Sequence, residues 1–338
     1  MGYKVSILVP IYGVEQFIER CVRSLFGQTY SDLEYVLVND CTPDKSIEIV
    51  KKVVEEYGDR KPYVRIINHE RNRGLAATRN TALDNATGEF VCLVDSDDWM
   101  EPNAVELLVK KQLKNGSDLV SGNRMVHYPE KDSVLQERQY QNKEDMTLQM
   151  MQRSWDHLIT GRLVRKTLFA DNGLRWNEGL DIGEDRYMMT LLAYHADRFD
   201  TLDAVVYHYE RRNQNAITKP NDGQCVFRNN NQEYGNVLAL RRFFGDKEMV
   251  YQKACVLAMM EQLKFNMKMA LVFSSKEEFD RMVGVIDGCS DENRSLIGWK
   301  QEGVKGWCLH NYYWMRMEWL GTKSVRFLKK RLTGHRCS

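Results

Sequence analysis

The sequence predicts an α/β fold, in which a mostly parallel β-sheet is flanked by helices and followed by a helical C-terminal region. Short apolar runs rich in β-branched residues recur at near-regular intervals through residues 1–122. Segments with a helical spacing of apolar residues separate these runs, and this alternation is typical of a parallel sheet with helices on both faces. After residue 220 the chain becomes rich in Met, aromatic and basic residues and keeps only the helical pattern.

Composition excludes several classes of protein. The 48 basic and 47 acidic residues give a formal net charge of +1, so the whole chain lacks the basic footprint of a nucleic-acid-binding protein. The eight cysteines form no Cys-x-x-Cys pair, and Cys21 and Cys92 fall in apolar stripes, which indicates reduced thiols. No segment approaches the roughly 18 apolar residues of a membrane-spanning helix, and the first strand is too short for a secretory signal. We therefore expect a cytoplasmic protein that does not cross a membrane.

The elements of the first half alternate between strand and helix. Phe17, Cys21 and Leu25 share one face of a predicted helix, and Thr42 is suited to cap the next helix, with Pro43 at its first position. The predicted strands are residues 5–9, 34–38, 63–68, 90–94 and 118–121, and the predicted helices are residues 14–28, 43–57, 75–86 and 102–114.

The chain is less regular before residue 220. We predict, in order, a polar loop over residues 128–145, a structured segment over 158–169, a second loop over 172–183, a helix that starts at residue 184 and a strand over 204–209. The change of composition that follows predicts two domains, residues 1–220 and 221–338.

Three carboxylates crowd the end of the predicted strand at residues 90–94. Asp95, Asp97 and Asp98 follow its apolar run directly, where like charges oppose one another's ionisation. Oxygen ligands of this kind suit Mn²⁺ or Mg²⁺, and ligands of open α/β sheets bind at the carboxyl ends of the strands. The alternative is a solvated acidic turn in which Asp97 or Asp98 caps the next helix.

Five further residues, at four places in the sequence, are candidates for binding or catalysis. Asp40 follows the second strand, where it accepts hydrogen bonds either from a ribose or base or within a turn. Gly74 permits a positive φ in the loop after the third strand. Arg79 pairs with a buried acid or a diphosphate, or is solvated. Glu184 and Asp185 begin a helix, where they either complement its dipole or supply a general base.

This ordered set of motifs resembles the catalytic domain of glycosyltransferase family 2. The resemblance covers residues 3–218 and rests on residues 5–12, Asn39-Asp40, Asn72-Arg73-Gly74, Arg79-Asn80, Asp95-Ser96-Asp97-Asp98 and Gly183-Glu184-Asp185. It implies the GT-A nucleotide-diphospho-sugar transferase fold. It also implies a nucleotide-sugar half over residues 1–122 and an acceptor half over residues 123–220.

The resemblance also implies a role for each matching residue. The donor-binding residues would be Pro10, Tyr12, Asp40, Asn72, Gly74, Arg79, Asp95 and Asp97. The residues that bind Mn²⁺ or Mg²⁺ would be Asp97, Asp98 and His208, with Asp98 as the direct ligand. His208 and Arg211 resemble a segment that closes over the donor, although a strand histidine held by protein partners is the alternative. Asp185 would be the catalytic base, with Glu184 beside it.

The implied reaction is an inverting transfer from a nucleotide sugar, expected to be a UDP-sugar, to a saccharide or lipid-linked saccharide in polysaccharide or glycoconjugate biosynthesis. The Gln-x-x-Arg-Trp motif of processive synthases is absent from the sequence, which favours single additions. Gly13 and Asn39-Asp40-Cys41-Thr42 depart from the family's usual loops. Two rival functions are a non-catalytic nucleotide-binding partner and a sugar nucleotidyltransferase. The latter would carry a Gly-rich basic loop after the first strand, which this chain lacks.

The C-terminal region carries a basic amphipathic pattern. Residues 305–338 contain eight Lys or Arg against one acid, Glu318. Such a helix with aromatic neighbours suits an anionic membrane surface, so we expect residues 305–336 to contact the inner face of the plasma membrane. The alternatives are a packing helix with a solvated side and a contact with another copy of the chain in an oligomer.

Overall fold

The computed structural model describes residues 2–152, 157–213, 216 and 223–273. The chain divides into two compact units, Met1–Lys219 and Pro220–Ser338. None of the described helices combines the length and the apolar character that a membrane span requires. The basic segment 305–336 lies outside the described residues.

The first unit contains all the strands found in the described part of the chain. They are β1 (Val5–Ile11), β2 (Leu33–Asn39), β3 (Val64–Asn68), β4 (Phe90–Leu93), β5 (Trp99–Met100), β6 (Leu119–His127), β7 (Asp132–Leu135), β8 (Leu163–Arg165) and β9 (Phe199–Glu210). Its helices are α1 (Ile18–Phe26), α2 (Ser46–Glu56), α3 (Leu75–Asp84), α4 (Ala104–Asn115), α5 (Lys143–Met151), α6 (Thr167–Asp171) and α7 (Glu184–His195), with a short 3₁₀ turn at Lys61–Tyr63.

These strands form one sheet in the order β3-β2-β1-β4-β8-β6-β9-β5, and β7 pairs with β6. The strands β3, β2, β1 and β4 are parallel, as predicted. The strand β8 enters antiparallel between β4 and β6, and β6 pairs parallel with β9. Every residue of β1 is buried, because helices cover both faces at the centre of the sheet. The prediction of an α/β fold with a mostly parallel sheet is confirmed.

The register of the parallel strands brings their carboxyl ends to one edge. Ile11 of β1 lies beside Asn39 of β2, which in turn lies beside Asn68 of β3. The residues that follow these strands, with those that follow β4, therefore share this edge. This is where the sequence places most of its candidate site residues.

Two helices begin later than their sequence predicts. The helix α1 starts at Ile18 and α2 at Ser46. Thr42 does not cap α2: its hydroxyl accepts from Gly13 N at 2.8 Å and donates to Asp44 at 2.7 Å. The side chain that is suited to a cap is used to tie two loops together at the edge of the sheet.

Between residues 223 and 273, the described part of the second unit contains two long helices, α8 (Gly223–Phe243) and α9 (Met249–Phe273), which pack against each other. Their buried apolar residues include Val237 and Leu240 on α8 and Met259 and Leu263 on α9. The helical pattern after residue 220 is thus present as far as residue 273.

Gly161 offers a test of how tightly the sheet is packed. Its φ is +69°, and an added Cβ would lie 2.6 Å from the ring of Tyr207, whose hydroxyl donates to Asp98 at 2.6 Å. Gly173 has a similar φ of +60° but open space around it. In Gly173→Ala the left-handed backbone conformation alone opposes the new side chain, and it lowers the free energy of unfolding by about 1–2 kcal/mol. We expect Gly161→Ala to lower the free energy of unfolding by about 1–3 kcal/mol more, because Tyr207 is held in place.

Urea unfolding of the two variants, followed by circular dichroism, gives this difference directly. Equal losses in both variants would contradict close packing at Gly161.

Candidate active site

A cavity of ≈ 390 Å³ opens at the carboxyl edge of the sheet. Seven of the predicted site residues line it: Pro10, Tyr12, Asp40, Asn72, Gly74, Asp95 and Asp97. Further lining residues include Thr78, Asp181, Tyr209, Arg211 and Asn213. The residues that the sequence places after four different elements therefore meet at one cavity, whose described wall is rich in carboxylates.

Asp40 shapes one wall of the cavity. Its Oδ1 accepts from Arg73 N at 2.8 Å and lies 2.7 Å from His69 Nδ1, while its Oδ2 accepts from Gly74 N at 2.8 Å. Gly74 has a φ of +90°, and a Cβ there would lie 2.4 Å from Asp181 Oδ2. The Asp40 carboxylate thus fixes the conformation of the loop between β3 and α3. Glycine is needed at position 74 because it tolerates a positive φ and because a side chain would collide with Asp181.

Asp95 and Asp97 bring negative charge to the opposite wall. The burial of Asp97, reinforced by the charge of Asp95, raises the pKa of Asp97 to about 6. Asn213 Nδ2 donates to Asp97 Oδ2 at 2.8 Å and so fixes the orientation of this carboxylate. Burial also raises the pKa of Asp95, against the opposing charge of Arg79. These carboxylates are therefore placed where a cation would stabilise their ionised forms.

A buried guanidinium lies behind Asp95. Arg79 Nη1 donates to Asp185 Oδ1 at 2.6 Å and to Glu184 Oε1 at 3.0 Å, and Nη2 donates to Asp95 Oδ1 at 3.0 Å. Only 1 % of its side chain is exposed. We call these four residues the Arg79 cluster. Of the alternatives open for Arg79, the structure shows pairing with buried acids.

The Arg79 cluster holds more negative than positive charge. Burial first, and then the charge of Asp185, raises the pKa of Glu184 to about 8. Neither Arg79, Glu184 nor Asp185 lines the cavity. The two carboxylates at the start of α7 therefore lie behind the wall that Asp95 forms, and Glu184 holds its proton at neutral pH.

The loop before α7 is fixed to α3 by two sets of contacts. Asn80 Nδ2 donates to Trp176 O at 3.0 Å, and Trp176 N donates to Asn80 Oδ1 at the same distance. Asp181 Oδ1 accepts from Ala76 N at 2.8 Å, in the first turn of α3. Asp181 is a cavity residue that the sequence analysis missed, although it precedes Gly183-Glu184-Asp185 by only two residues.

Asp98 is fully buried and does not line the cavity. Its Oδ2 accepts from the hydroxyl of Tyr207 at 2.6 Å, and its Oδ1 accepts from Glu210 N at 2.7 Å. The predicted direct metal ligand is thus an acceptor that joins β9 to the acidic loop, the segment Asp95-Ser96-Asp97-Asp98. The arrangement does not support metal binding by Asp98, because both of its oxygens already face protein donors.

His208 also lies away from the cavity. Its Nε2 is 2.8 Å from Glu101 Oε1, its Nδ1 is 3.0 Å from His127 Nε2, and its ring stacks on Trp99 at 4.7 Å. Side chains alternate along β9, so Tyr209 faces the cavity and His208 faces the other side of the sheet. The structure therefore supports the alternative of a strand histidine held by protein partners.

No three His, Cys, Asp or Glu side chains converge into a metal site within the part of the chain that the structure describes. Asn213 and Glu210 were also missed by the sequence analysis. Both lie at the end of β9 or just after it, and their contacts with Asp97 and Asp98 span more than 110 residues. No local pattern signals such contacts.

Comparison with known sequences identifies relatives. Residues 6–173 match the sequence model of the family described as glycosyl transferase family 2. The uncharacterized glycosyltransferase EpsJ of Bacillus subtilis is 35% identical over 225 residues, which are 64% of this chain and 63% of EpsJ. The chain therefore spans less than two thirds of the length of this relative.

Comparison with solved structures supports the fold. Residues 1–349 of TarS from S. aureus align with a TM-score of 0.68 and 18% identity over 94% of this chain and 92% of that one. The mannosyltransferase PcManGT from Pyrobaculum calidifontis, in complex with GDP-Man and Mn²⁺, aligns with a TM-score of 0.53 and 18% identity over 97% and 88% of the two chains. The predicted GT-A fold is confirmed.

The charge excess in the Arg79 cluster predicts a pH dependence of stability. The folded protein holds the Glu184 proton up to a pKa of about 8, against an ordinary value of 4.5. Between these values the folded state binds more protons than the unfolded chain, so the free energy of unfolding falls as the pH rises. One such group contributes at most about 1.4 kcal/mol per pH unit. We expect Glu184→Gln to make this fall smaller.

The measurement is urea unfolding at pH 6 and pH 8 in metal-free buffer. Asp97, with a pKa of about 6, is already half ionised at pH 6, so it adds less to the fall across this window than Glu184 does. The control is Glu178→Gln. Glu178 lies in the loop before α7, and its exposed carboxylate pairs with Arg73. An unchanged pH dependence in Glu184→Gln would contradict the expected protonation.

Proposed function

The chain belongs to glycosyl transferase family 2 through residues 6–173, and on that premise we propose that it transfers a sugar from a nucleotide sugar to an acceptor hydroxyl. The observation that carries the proposal is the meeting of Asp40, Asp95 and Asp97 around one cavity, with the Arg79 cluster directly behind it. Such an arrangement provides separate places for a nucleotide donor and for a general base.

We propose a UDP-sugar as the donor. TarS is known in complex with UDP-GlcNAc, and that structure aligns with 94% of this chain at a TM-score of 0.64. At the mouth of the cavity the ring of Tyr12 is 49% exposed, which leaves an aromatic surface for a nucleotide base. The wall formed by Pro10, Tyr12 and Asp40 would hold the nucleoside end.

Mn²⁺ or Mg²⁺ fits the carboxylates of the cavity. The raised pKa of Asp97, caused by its burial and by Asp95, means that a cation would stabilise its charged form. Ions of this type bind one or two carboxylates and complete their shell with phosphate oxygens and water. Asp97 would therefore be the direct ligand, with Asp95 beside it, in place of Asp98 and His208. When bound, the ion neutralises the charge of the leaving diphosphate.

Asp185 would act as the general base. It would take the proton of the acceptor hydroxyl while the oxygen attacks the anomeric carbon, and the bond to the nucleotide diphosphate breaks on the opposite face, with inversion. Glu184 is less suited to this role, because its pKa of about 8 keeps it protonated at neutral pH. Asp185 lies outside the donor cavity, as expected for a group that serves the acceptor.

We further propose that one sugar is added to a saccharide or lipid-linked saccharide acceptor in polysaccharide or glycoconjugate biosynthesis. The absence of the Gln-x-x-Arg-Trp motif from the sequence supports a single addition. The basic segment 305–336 would bring the protein to an anionic membrane surface or to a second copy of the chain.

The donor proposal is tested by titrating UDP with and without Mn²⁺ into three proteins: wild type, Asp97→Asn and Asp98→Asn. We expect Mn²⁺ to strengthen UDP binding by the wild type. Asp97→Asn should lose this strengthening, because it removes the charge that the ion would meet. Asp98→Asn should keep it but unfold more readily, because the acceptor for Tyr207 and Glu210 N is weakened.

Absence of UDP binding under every condition would exclude a UDP-sugar donor. If Mn²⁺ no longer strengthens UDP binding in Asp98→Asn but still does so in Asp97→Asn, Asp98 and not Asp97 is the metal ligand.

The base is tested by measuring UDP release from UDP-GlcNAc with water as the acceptor. We expect Asp185→Asn to slow release by about 10²–10⁴-fold, the usual contribution of a general base, while UDP affinity stays the same. Asp171→Asn, an exposed carboxylate at the end of α6, is the control and should leave the rate unchanged. Equal rates in Asp185→Asn and the control would reject Asp185 as the base. A wild type that releases no UDP above the uncatalysed rate would favour a nucleotide-binding role without catalysis.

A further inference from the structure

Arg20, on α1, touches three parts of the site from outside the cavity. Its Nη2 donates to the backbone carbonyl of Asp97 at 3.0 Å and to Glu210 Oε2 at 3.1 Å. Its guanidinium carbon lies 3.5 Å from the centroid of the Trp99 ring. One side chain thus links the acidic loop, the end of β9 and the residue that follows the acidic loop.

Glu210 is the second member of this contact. Besides Arg20, its carboxylate accepts from Arg212 N at 2.9 Å and from Arg212 Nε at 2.7 Å. These partners outweigh the effect of burial and lower the pKa of Glu210 to about 2, so Glu210 is charged at any physiological pH. Both partners of the ion pair between Arg20 and Glu210 are therefore charged at neutral pH.

The consequence for Asp97 is that both its backbone and its side chain are fixed. Arg20 holds its carbonyl, while Asn213 holds its Oδ2. Arg20 and Asn213 belong to different elements, and Glu210 joins them through the end of β9. The carboxylate that faces the cavity is thus held in one orientation from two sides.

A guanidinium suits this position better than an ammonium. A planar group presents a face to an indole while the N–H bonds of one edge meet two oxygens. The Trp99 ring has further partners, since His127 and His208 also stack on it at 4.5 and 4.7 Å. The stack gives Arg20 a firm support, although 39% of its side chain is exposed.

The neighbouring Arg23 shows what an ordinary surface arginine on α1 does. It pairs with Glu19 at 2.8 Å and Glu56 at 2.7 Å, with 36% of its side chain exposed. None of its partners belongs to the acidic loop or to β9. The two arginines match in residue type, helix and exposure, and differ in what they hold.

We infer that Arg20 is a positioning residue, which sets the orientation of Asp97 toward a divalent cation bound with the donor diphosphate. This inference rests on the proposed function, since it assumes that Asp97 binds the ion. Arg20 does not line the cavity in which the donor and the ion would bind. Its effect passes through the carbonyl of Asp97 and through Glu210.

The experiment titrates UDP at a series of Mn²⁺ concentrations into wild type, Arg20→Met, Arg20→Lys and Arg23→Met. In Arg20→Met we expect the Mn²⁺ concentration for half-maximal UDP binding to rise about tenfold, as when one charge-assisted hydrogen bond is lost. Arg20→Lys should recover part of this loss, because an ammonium still donates to one oxygen. Arg23→Met should match the wild type. UDP binding in the presence of a chelator should be the same in all four proteins.

Different outcomes would count against different claims. Identical Mn²⁺ dependence in Arg20→Met and Arg23→Met would overturn the positioning role alone. A wild type that binds no UDP would exclude the proposed UDP-sugar donor, and one that binds UDP equally with and without Mn²⁺ would exclude the proposed cation. Either result would overturn this inference as well. Thermal unfolding shows whether each variant is folded. If Arg20→Met does not fold, the Mn²⁺ dependence of UDP binding by Arg20→Lys is compared with that of Arg23→Met instead, and identical values would overturn the positioning role.

Discussion

The buried guanidinium of Arg79 holds together three segments that reach the site from distant parts of the sequence. It bonds Asp95 after β4 and both Glu184 and Asp185 at the start of α7. Removing one cation and three carboxylates from water is costly unless they contact one another closely. Burial, and then the charge of Asp185, raises the pKa of Glu184 to about 8. The negative excess of the cluster makes this edge of the sheet favourable for further cations.

A second anchor sets the position of the opposite wall. Asp98 accepts from the side chain of Tyr207 and from the backbone of Glu210, so β9 is fastened to the acidic loop from within the core. The alternation of side chains along β9 then directs Tyr209 to the cavity and His208 away from it. The bonds of Asp98 thus hold β9 in the position from which Tyr209 faces the cavity.

The two anchors support a division of roles that suits the proposed transfer. Asp40, Asp95 and Asp97 line the cavity, where a nucleotide donor and its cation would bind. Glu184 and Asp185 lie behind Asp95 and are joined to it through Arg79. Because Asp95 and Asp185 both bond to Arg79, the distance between the donor and the general base would be fixed. Attack on the face opposite the leaving group requires such a fixed distance.

The sequence by itself determined the alternation of strands and helices, the edge at which polar residues gather and seven of the residues that line the cavity. These features depend on periodicity and on position after a strand, which are local properties. Only the tertiary structure decided that Asp95 and Asp97 line the cavity and that Asp98 does not. The donors that bury Asp98 lie 109 and 112 residues away, and Asn213, which orients Asp97, lies 116 residues away. Spacing places acids at one edge of a sheet, but their roles depend on partners that only folding brings within hydrogen-bond distance.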